Sequence, residues 1–248
     1  MISPQNRPSG AVTFENSGRV AVVSGGNGGI GAAICEAFAQ SGASVVSLDL
    51  QPPSGTLAEG IDWQRCDVSC EQQCAQAIQQ TSNRLGGIDV LVNNAAIQPP
   101  ESYVRPDEVS LELWDKMLSI NFTGYMLLAK HALLVMRRQG SGVIINMSSG
   151  QGHRTARDVP IYGPIKAANI LQARQWAVQY ARQGIRVVSV SPGAVDTPLV
   201  RTTLEKQGGV AALANRHPIG RLGRPAEIAA AVSLPAPAEM NGKTNSIR

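Results

Sequence analysis

Residues 19–40, RVAVVSGGNGGIGAAICEAFAQ, decide the fold. Arg19-Val20-Ala21-Val22-Val23 is an apolar, β-branched run of the kind that fills a strand buried on both faces. From Ile30 to Ala39 the apolar residues recur at helical spacing. Between them lies SGGNGGIG, Ser24 to Gly31, where Gly26-x-Gly28-x-x-Gly31 satisfies one dinucleotide-type glycine spacing and Gly25, Gly29 and Gly31 a second. Missing Cβ atoms let a backbone approach a pyrophosphate, and the free N–H groups at a helix start hold it. Strand, glycines and helix in that order predict a nucleotide cradle.

Working outward, Ser44-Val45-Val46-Ser47-Leu48 reads as a second strand ending in Asp49, eighteen residues beyond Gly31. A carboxylate there accepts hydrogen bonds from both ribose hydroxyls and repels a 2′-phosphate. No Arg or Lys lies within Ser24 to Gly31 or directly after Asp49, so the expected cofactor is NAD rather than NADP. Further strands are expected at Ile61 to Cys66, Ile88 to Val92, Val143 to Met147 and Ile185 to Val190. Helices are expected at Glu71 to Arg84, Leu111 to Arg138, Tyr162 to Gln183 and Pro225 to Val232. Alternating strands and helices imply an α/β fold, a Rossmann-type doubly wound parallel sheet covered on both faces. A chain of 248 residues can bury one large core, and no repeat or linker divides it.

A proton-transfer site is legible downstream. Tyr162 and Lys166 stand four residues apart, which places them on one helix face, and Ser149 precedes Tyr162 by thirteen residues. A phenol with a pKa of about 10 is a poor base at neutral pH. A nearby cation favours phenolate, so Lys166 is expected to lower the Tyr162 pKa toward the working range.

These residues resemble the short-chain dehydrogenase/reductase family in its single-domain form, over roughly Gly18 to Ser233. Ser24-Gly25-x-x-x-Gly29-Ile30-Gly31, with Asn27 and Gly28 inside it, matches the family's T-G-x-x-x-G-x-G with Ser for Thr. Asn93-Asn94-Ala95-Ala96 matches N-N-A-G with Ala for the last Gly, and Asp67-Val68 matches an adenine-contacting D-V. The resemblance implies that Asn93 and Ala95 lie beside the cofactor. It likewise implies that Pro192, Gly193, Val195 and Thr197 hold the nicotinamide carboxamide. It makes Asn121, Ser149, Tyr162 and Lys166 the catalytic residues. Tyr162 would act as general acid/base, Ser149 would hydrogen-bond the substrate oxygen, Lys166 would also hold the nicotinamide ribose, and Asn121 would position a water. The implied activity is hydride transfer between NAD and a secondary alcohol or ketone. An NADPH-dependent carbonyl reductase and a non-catalytic nucleotide-binding sensor are the alternatives, opposed by Asp49 and by the four catalytic positions respectively.

Composition narrows the partners. Net charge is +4, but the basic residues are scattered and aromatics make up 4%, so no nucleic-acid surface is expected. Neither a signal peptide nor a membrane span is expected, because the first 17 residues are polar and no run of 18 apolar residues occurs. Cys35, Cys66, Cys70 and Cys74 lack a nearby His or a C-x-x-C, so no metal site is expected and reduced thiols in the cytoplasm are. Residues 150–160, with His153, Arg154 and Arg157, and 198–218, with Arg201, Arg216 and a Gly208-Gly209 hinge, are expected to form the substrate side. They leave polyols, sugars, hydroxy acids and simple secondary alcohols open, an anionic group among them.

The ends depart from the resemblance. Residues 1–17 read as a mobile arm and 18–233 as the catalytic domain. In 234–248, Pro235 and Pro237 fit poorly inside a strand, so a six-stranded sheet with a loosely held tail is expected. The usual seventh-strand pattern is missing, so a homo-oligomer is expected, a dimer through the two long helices with a tetramer as the alternative.

Overall fold

Six strands lie parallel in one sheet in the computed structural model, which describes residues 15–233: β1 (Val20–Ser24), β2 (Ser44–Asp49), β3 (Ile61–Arg65), β4 (Val90–Asn93), β5 (Gly142–Met147) and β6 (Ile185–Val190). Their order is β3-β2-β1-β4-β5-β6. All residues of β1, β4 and β5 are buried, which is why these segments read as continuous apolar runs instead of alternating. The chain steps outward from β1 to β3 and then returns to β4 on the other side. A crevice therefore opens beyond the carboxyl ends of β1 and β4, where such sheets bind ligands.

Two helical layers enclose the sheet. On one face α1 (Gly29–Gln40) and α7 (Pro225–Ser233) pack Ile34, Phe38 and Val232 against Val23 and Ile145. On the other, α2 (Glu71–Leu85), α4 (Gly124–Gln139) and α5 (Tyr162–Tyr180) set Ile78, Leu128, Met136 and Ala173 against Val22, Leu91 and Ile144. Burying an Ile or Phe side chain in this way contributes about 1.5–3 kcal/mol. The arrangement is the expected α/β Rossmann-type sheet.

The helix expected from Leu111 to Arg138 is two helices. α3 (Leu111–Leu118) and α4 are joined by one wide π turn, Ser119–Thr123. The insertion brings Asn121 inward with no exposed surface, and its side chain bonds Ile97 across the crevice floor. Such turns recur at functional sites. The run Leu111–Gln139 is 29 residues with a mean hydropathy of 1.2, long and apolar enough to cross a bilayer, yet half of its apolar window is buried inside this domain.

Smaller shifts have local causes. Ile88 stays outside β4 because its N–H donates to the Gln139 side chain, and Asp89 accepts from the Val20 N–H. The expected arm is too long by its last residues: Asn16 is 1% exposed, its backbone N–H donates to Ser41 O, and its amide donates to Ser41 Oγ. The expectations for residues 1–14 and for the tail 234–248 lie outside the described residues.

Candidate active site

The glycine turn supplies the nucleotide half of the crevice. A Cβ on Gly31 would stand 2.0 Å from Gly25 O, so only glycine lets α1 start beneath the turn. Gly28 differs: a Cβ there would meet nothing within 4 Å, and its φ of −152° suits any residue. Protein packing does not require glycine at that position, whereas a ligand seated on the uncapped start of α1 would. The chain thus fits a dinucleotide pyrophosphate at Gly28, Gly29 and Ile30.

Internal bonds fix this turn. Ser24 has no exposed surface; its hydroxyl donates to Val92 O and accepts from the N–H groups of Asn94 and Ala95. Its side chain therefore shapes the loop and does not face the crevice. The Asn94 amide donates to Ser24 O and Gly25 O, a clamp that sequence reasoning missed. Asn27 accepts from Ser47 Oγ at 2.6 Å and donates to Gln51 O at 2.6 Å. Asp49 ends β2 as expected, its carboxylate accepting from the N–H groups of Asn27 and Gln51.

Other expected contacts divide between surface and core. Asp67 follows β3 and accepts from Ser69, while Val68 is buried against Gly124. Asn93 is fully buried and donates to Asn146 Oδ1 and Tyr125 O, so its side chain belongs to the core and not to the cofactor surface. Ala95 is half-buried beyond β4. The Pro192 carbonyl accepts from Gly150 N–H, Gly193 and Ala194 lie against His217, Val195 is bridged to Gly223, and Thr197 caps the short helix α6 (Pro198–Arg201).

The side chains expected to be catalytic gather at the start of α5. Tyr162 is its first residue, half-buried, with Ser149 beside its hydroxyl. Ser148 is turned away, its hydroxyl donating to Lys166 O at 2.6 Å, which separates the two adjacent serines. Lys166 lies one turn along α5 at 1% exposure. Its ammonium donates to Met147 O at 2.8 Å and to Tyr125 Oη at 3.1 Å, and lies 5.5 Å from the Tyr162 ring centroid. The Tyr125 hydroxyl donates in turn to Met147 O. Tyr125 was invisible in the sequence because it falls in the apolar, core-facing stripe of α4. Asn121 is held through both ends of its amide by Ile97, and its carbonyl accepts from Asn169 Nδ2 at 3.0 Å.

Burial governs the protonation of the pair. Desolvation by burial pulls Lys166 down to about 7. Desolvation first, and the Tyr103 phenol second, push Tyr162 up, while its Ser149 hydrogen bond pulls the other way. The expected lowering of Tyr162 by Lys166 is therefore reversed in the protein alone. Lys166 faces Tyr125 and Met147 at hydrogen-bond distance and meets Tyr162 only across its ring.

The expected substrate segments flank this group. Arg201 makes a bidentate pair with Asp196 at 2.7 and 3.0 Å, and Arg216 donates to Gln207 O. Arg154 and Arg157 are exposed. His153 meets Ser191 Oγ at 3.0 Å and ties the two segments together, a contact that nothing in their spacing announced.

Fold and site together define a dinucleotide-dependent oxidoreductase scaffold. Residues 25–241 match the family model described as Enoyl-(Acyl carrier protein) reductase. The cis-4-hydroxycyclohexanecarboxylate dehydrogenase of Sinomonas cyclohexanicum is 38% identical over 87% of this chain and 88% of its own. Two solved structures align closely. The ligand-free Thermoplasma acidophilum aldohexose dehydrogenase has a TM-score of 0.83 and 32% identity over 90% of this chain and 88% of its own. The Brucella melitensis 3-ketoacyl-(acyl-carrier-protein) reductase complexed with NADH has a TM-score of 0.84 and 26% identity over 92% and 94%. The chain belongs to the short-chain dehydrogenase/reductase family.

Proposed function

We propose that this protein is an NAD-dependent oxidoreductase that interconverts a secondary alcohol on a ring and its ketone. The observation that carries the reading is the convergence of Tyr162, Ser149 and Lys166 at the head of α5, with Ser148 turned inward. The names of two relatives, acting on a hydroxycyclohexane ring and on an aldohexose, support a ring substrate. Nicotinamide supplies the hydride acceptor or donor when bound; the turn from Asn27 to Gly31 would hold the dinucleotide's pyrophosphate, Asp49 its ribose hydroxyls, and the segment from Pro192 to Thr197 its carboxamide. Tyr162 takes the hydroxyl proton during oxidation and returns it during reduction. Ser149 donates to the substrate oxygen as charge develops there. Lys166 supplies the positive charge that favours phenolate, and Asn121 fixes the crevice floor through Ile97.

Asp49 supports NAD over NADP, since its carboxylate stands at the end of β2 beside Asn27. Asp49→Ala is expected to narrow the NAD preference by about 10–150-fold, because charge-assisted bonds contribute roughly 1.5–3 kcal/mol. Comparing kcat/KM for both cofactors in both proteins checks this, and a wild-type preference for NADP would contradict it. For assembly, we infer a homodimer through α3, α4 and α5, supported by the exposed Trp114, Met126, Leu134, Leu171 and Val178. The cytoplasm is the location that four free thiols support.

A further inference from the structure

We infer that His217 is a positioning residue for the nicotinamide, a role that rests on the oxidoreductase reading above. It latches the expected lid, residues 198–218, to the loop that follows β6. His217 lies just beyond the short helix Gly209–Asn215 and is half-buried. Its Nε2 accepts from the Ala194 N–H at 3.0 Å, and its Nδ1 lies 2.8 Å from Leu213 O. A carbonyl only accepts and a backbone N–H only donates, so the proton sits on Nδ1 and the lone pair on Nε2. Both ring nitrogens are thus spent in one tautomer of the neutral imidazole. The backbone under the ring is fixed as well. His217 N–H donates to Ala214 O, and His217 O accepts from the N–H of Gly220, whose φ of 71° closes a turn. A Cβ on Gly193 would stand 2.9 Å from His217 Nε2 and 3.1 Å from Cδ2, so the ring packs directly on that glycine.

The loop that His217 grips lies between the two halves of the crevice. At one end, Pro192 O accepts from the N–H of Gly150, the residue after Ser149. At the other, Thr197 touches the glycine turn: a Cβ on Gly29 would stand 3.3 Å from Thr197 Cγ2. The loop therefore spans the interval from the substrate-bonding serine to the pyrophosphate cradle, which the nicotinamide half of a dinucleotide has to cross. Its middle is clamped at Ala194 from both sides. Ala194 O accepts from Gly223 N–H, and the Asp196 N–H donates to Gly223 O, while His217 takes the Ala194 N–H. Gly223 belongs to the turn before α7, but His217 belongs to the lid. Moving the lid off the crevice has to break the His217–Ala194 bond, so lid position and the grip on the nicotinamide are coupled.

The test compares NADH with ADP-ribose, which carries the pyrophosphate but no nicotinamide, on the full-length protein. His217→Asn keeps a donor for Leu213 O but withdraws the acceptor from Ala194, whereas His217→Gln extends an acceptor as far as Nε2 does. His217→Asn should bind NADH about tenfold more weakly and ADP-ribose as wild type does. Its amides at 192–197 should also exchange faster with deuterium. His217→Gln should restore both the NADH affinity and the amide protection. Unchanged NADH affinity in His217→Asn overturns the inference and keeps the oxidoreductase reading. So does an equal loss for NADH and ADP-ribose, which would mark a packing role, or a Gln variant no better than Asn. Failure of wild type to bind either ligand overturns both.

Discussion

The two walls of the crevice treat their polar groups differently. On the nucleotide wall, Ser24, Asn27, Asp49 and Asn94 are all bonded to backbone or to one another, and the turn they hold is fixed before any ligand arrives. On the substrate wall, Arg154 and Arg157 are exposed, and the segments meet through contacts such as His153 with Ser191 and the Gly150 N–H with Pro192 O. Preorganisation on one side suits a cofactor whose shape does not vary, while exposed polar groups on the other leave selection to the substrate. Lys166 and Tyr125 form the seam between them.

The largest expected effect breaks the rigid wall. Gly31→Ala pushes a methyl group into Gly25 O, a backbone atom that no rotamer change can move aside. It should lower stability by about 3 kcal/mol and abolish NADH binding. Gly28→Ala meets no protein atom, so its Tm should match wild type while NADH binding weakens. Denaturant melts and fluorescence titration of both variants check the pair. Equal loss of stability in the two would show that the turn's glycines serve packing alone.

Next comes the seam. Lys166 ordinarily titrates at 10.5 and is pulled to about 7 in the fold. The unfolded chain thus holds a proton between those values that the native protein has released, and stability rises with pH across the window. Below pH 7 both states carry it, and burying the ammonium costs most. Lys166→Met should therefore stabilise the cofactor-free protein near pH 6–7, by about 5 kcal/mol at most at roughly 1.36 kcal/mol per pH unit. The gain should vanish toward pH 10. A pH-independent difference in Tm would contradict the assignment.

Tyr125→Phe should have the smallest effect. It removes one acceptor from the Lys166 ammonium without changing shape, which favours the uncharged amine. We expect kcat to fall about tenfold. The alkaline limb of the pH–rate profile should also move to lower pH. An unmoved profile would reduce Tyr125 to core packing.

The sheet was legible in the sequence because its signals are local: Val20 to Val23, Val143 to Met147 and Ile185 to Val190 each declare a buried strand by composition. The Tyr162 and Lys166 pair was legible through its spacing, whereas Ser149 and Asn121 were picked out only by the family resemblance. What stayed hidden depends on contacts distant in sequence. Tyr125 reads as a core residue until Lys166, 41 positions on, is folded against it. Asn121 reads as part of an uninterrupted helix until Ile97 draws it inward. Gln98 and Tyr103 sit in a stretch without periodicity, where only tertiary structure reveals that the Tyr103 hydroxyl faces Gln98 and Thr203.

The central claim is that Tyr162 moves the proton, and Tyr162→Phe tests it most directly. The ring keeps its packing at the head of α5, so NADH binding and Tm should match wild type. Single-turnover hydride transfer, followed at 340 nm with a substrate the wild type oxidises, should slow by about 10²–10⁴-fold. A rate within about tenfold of wild type, with chemistry limiting in both, would place the acid/base elsewhere.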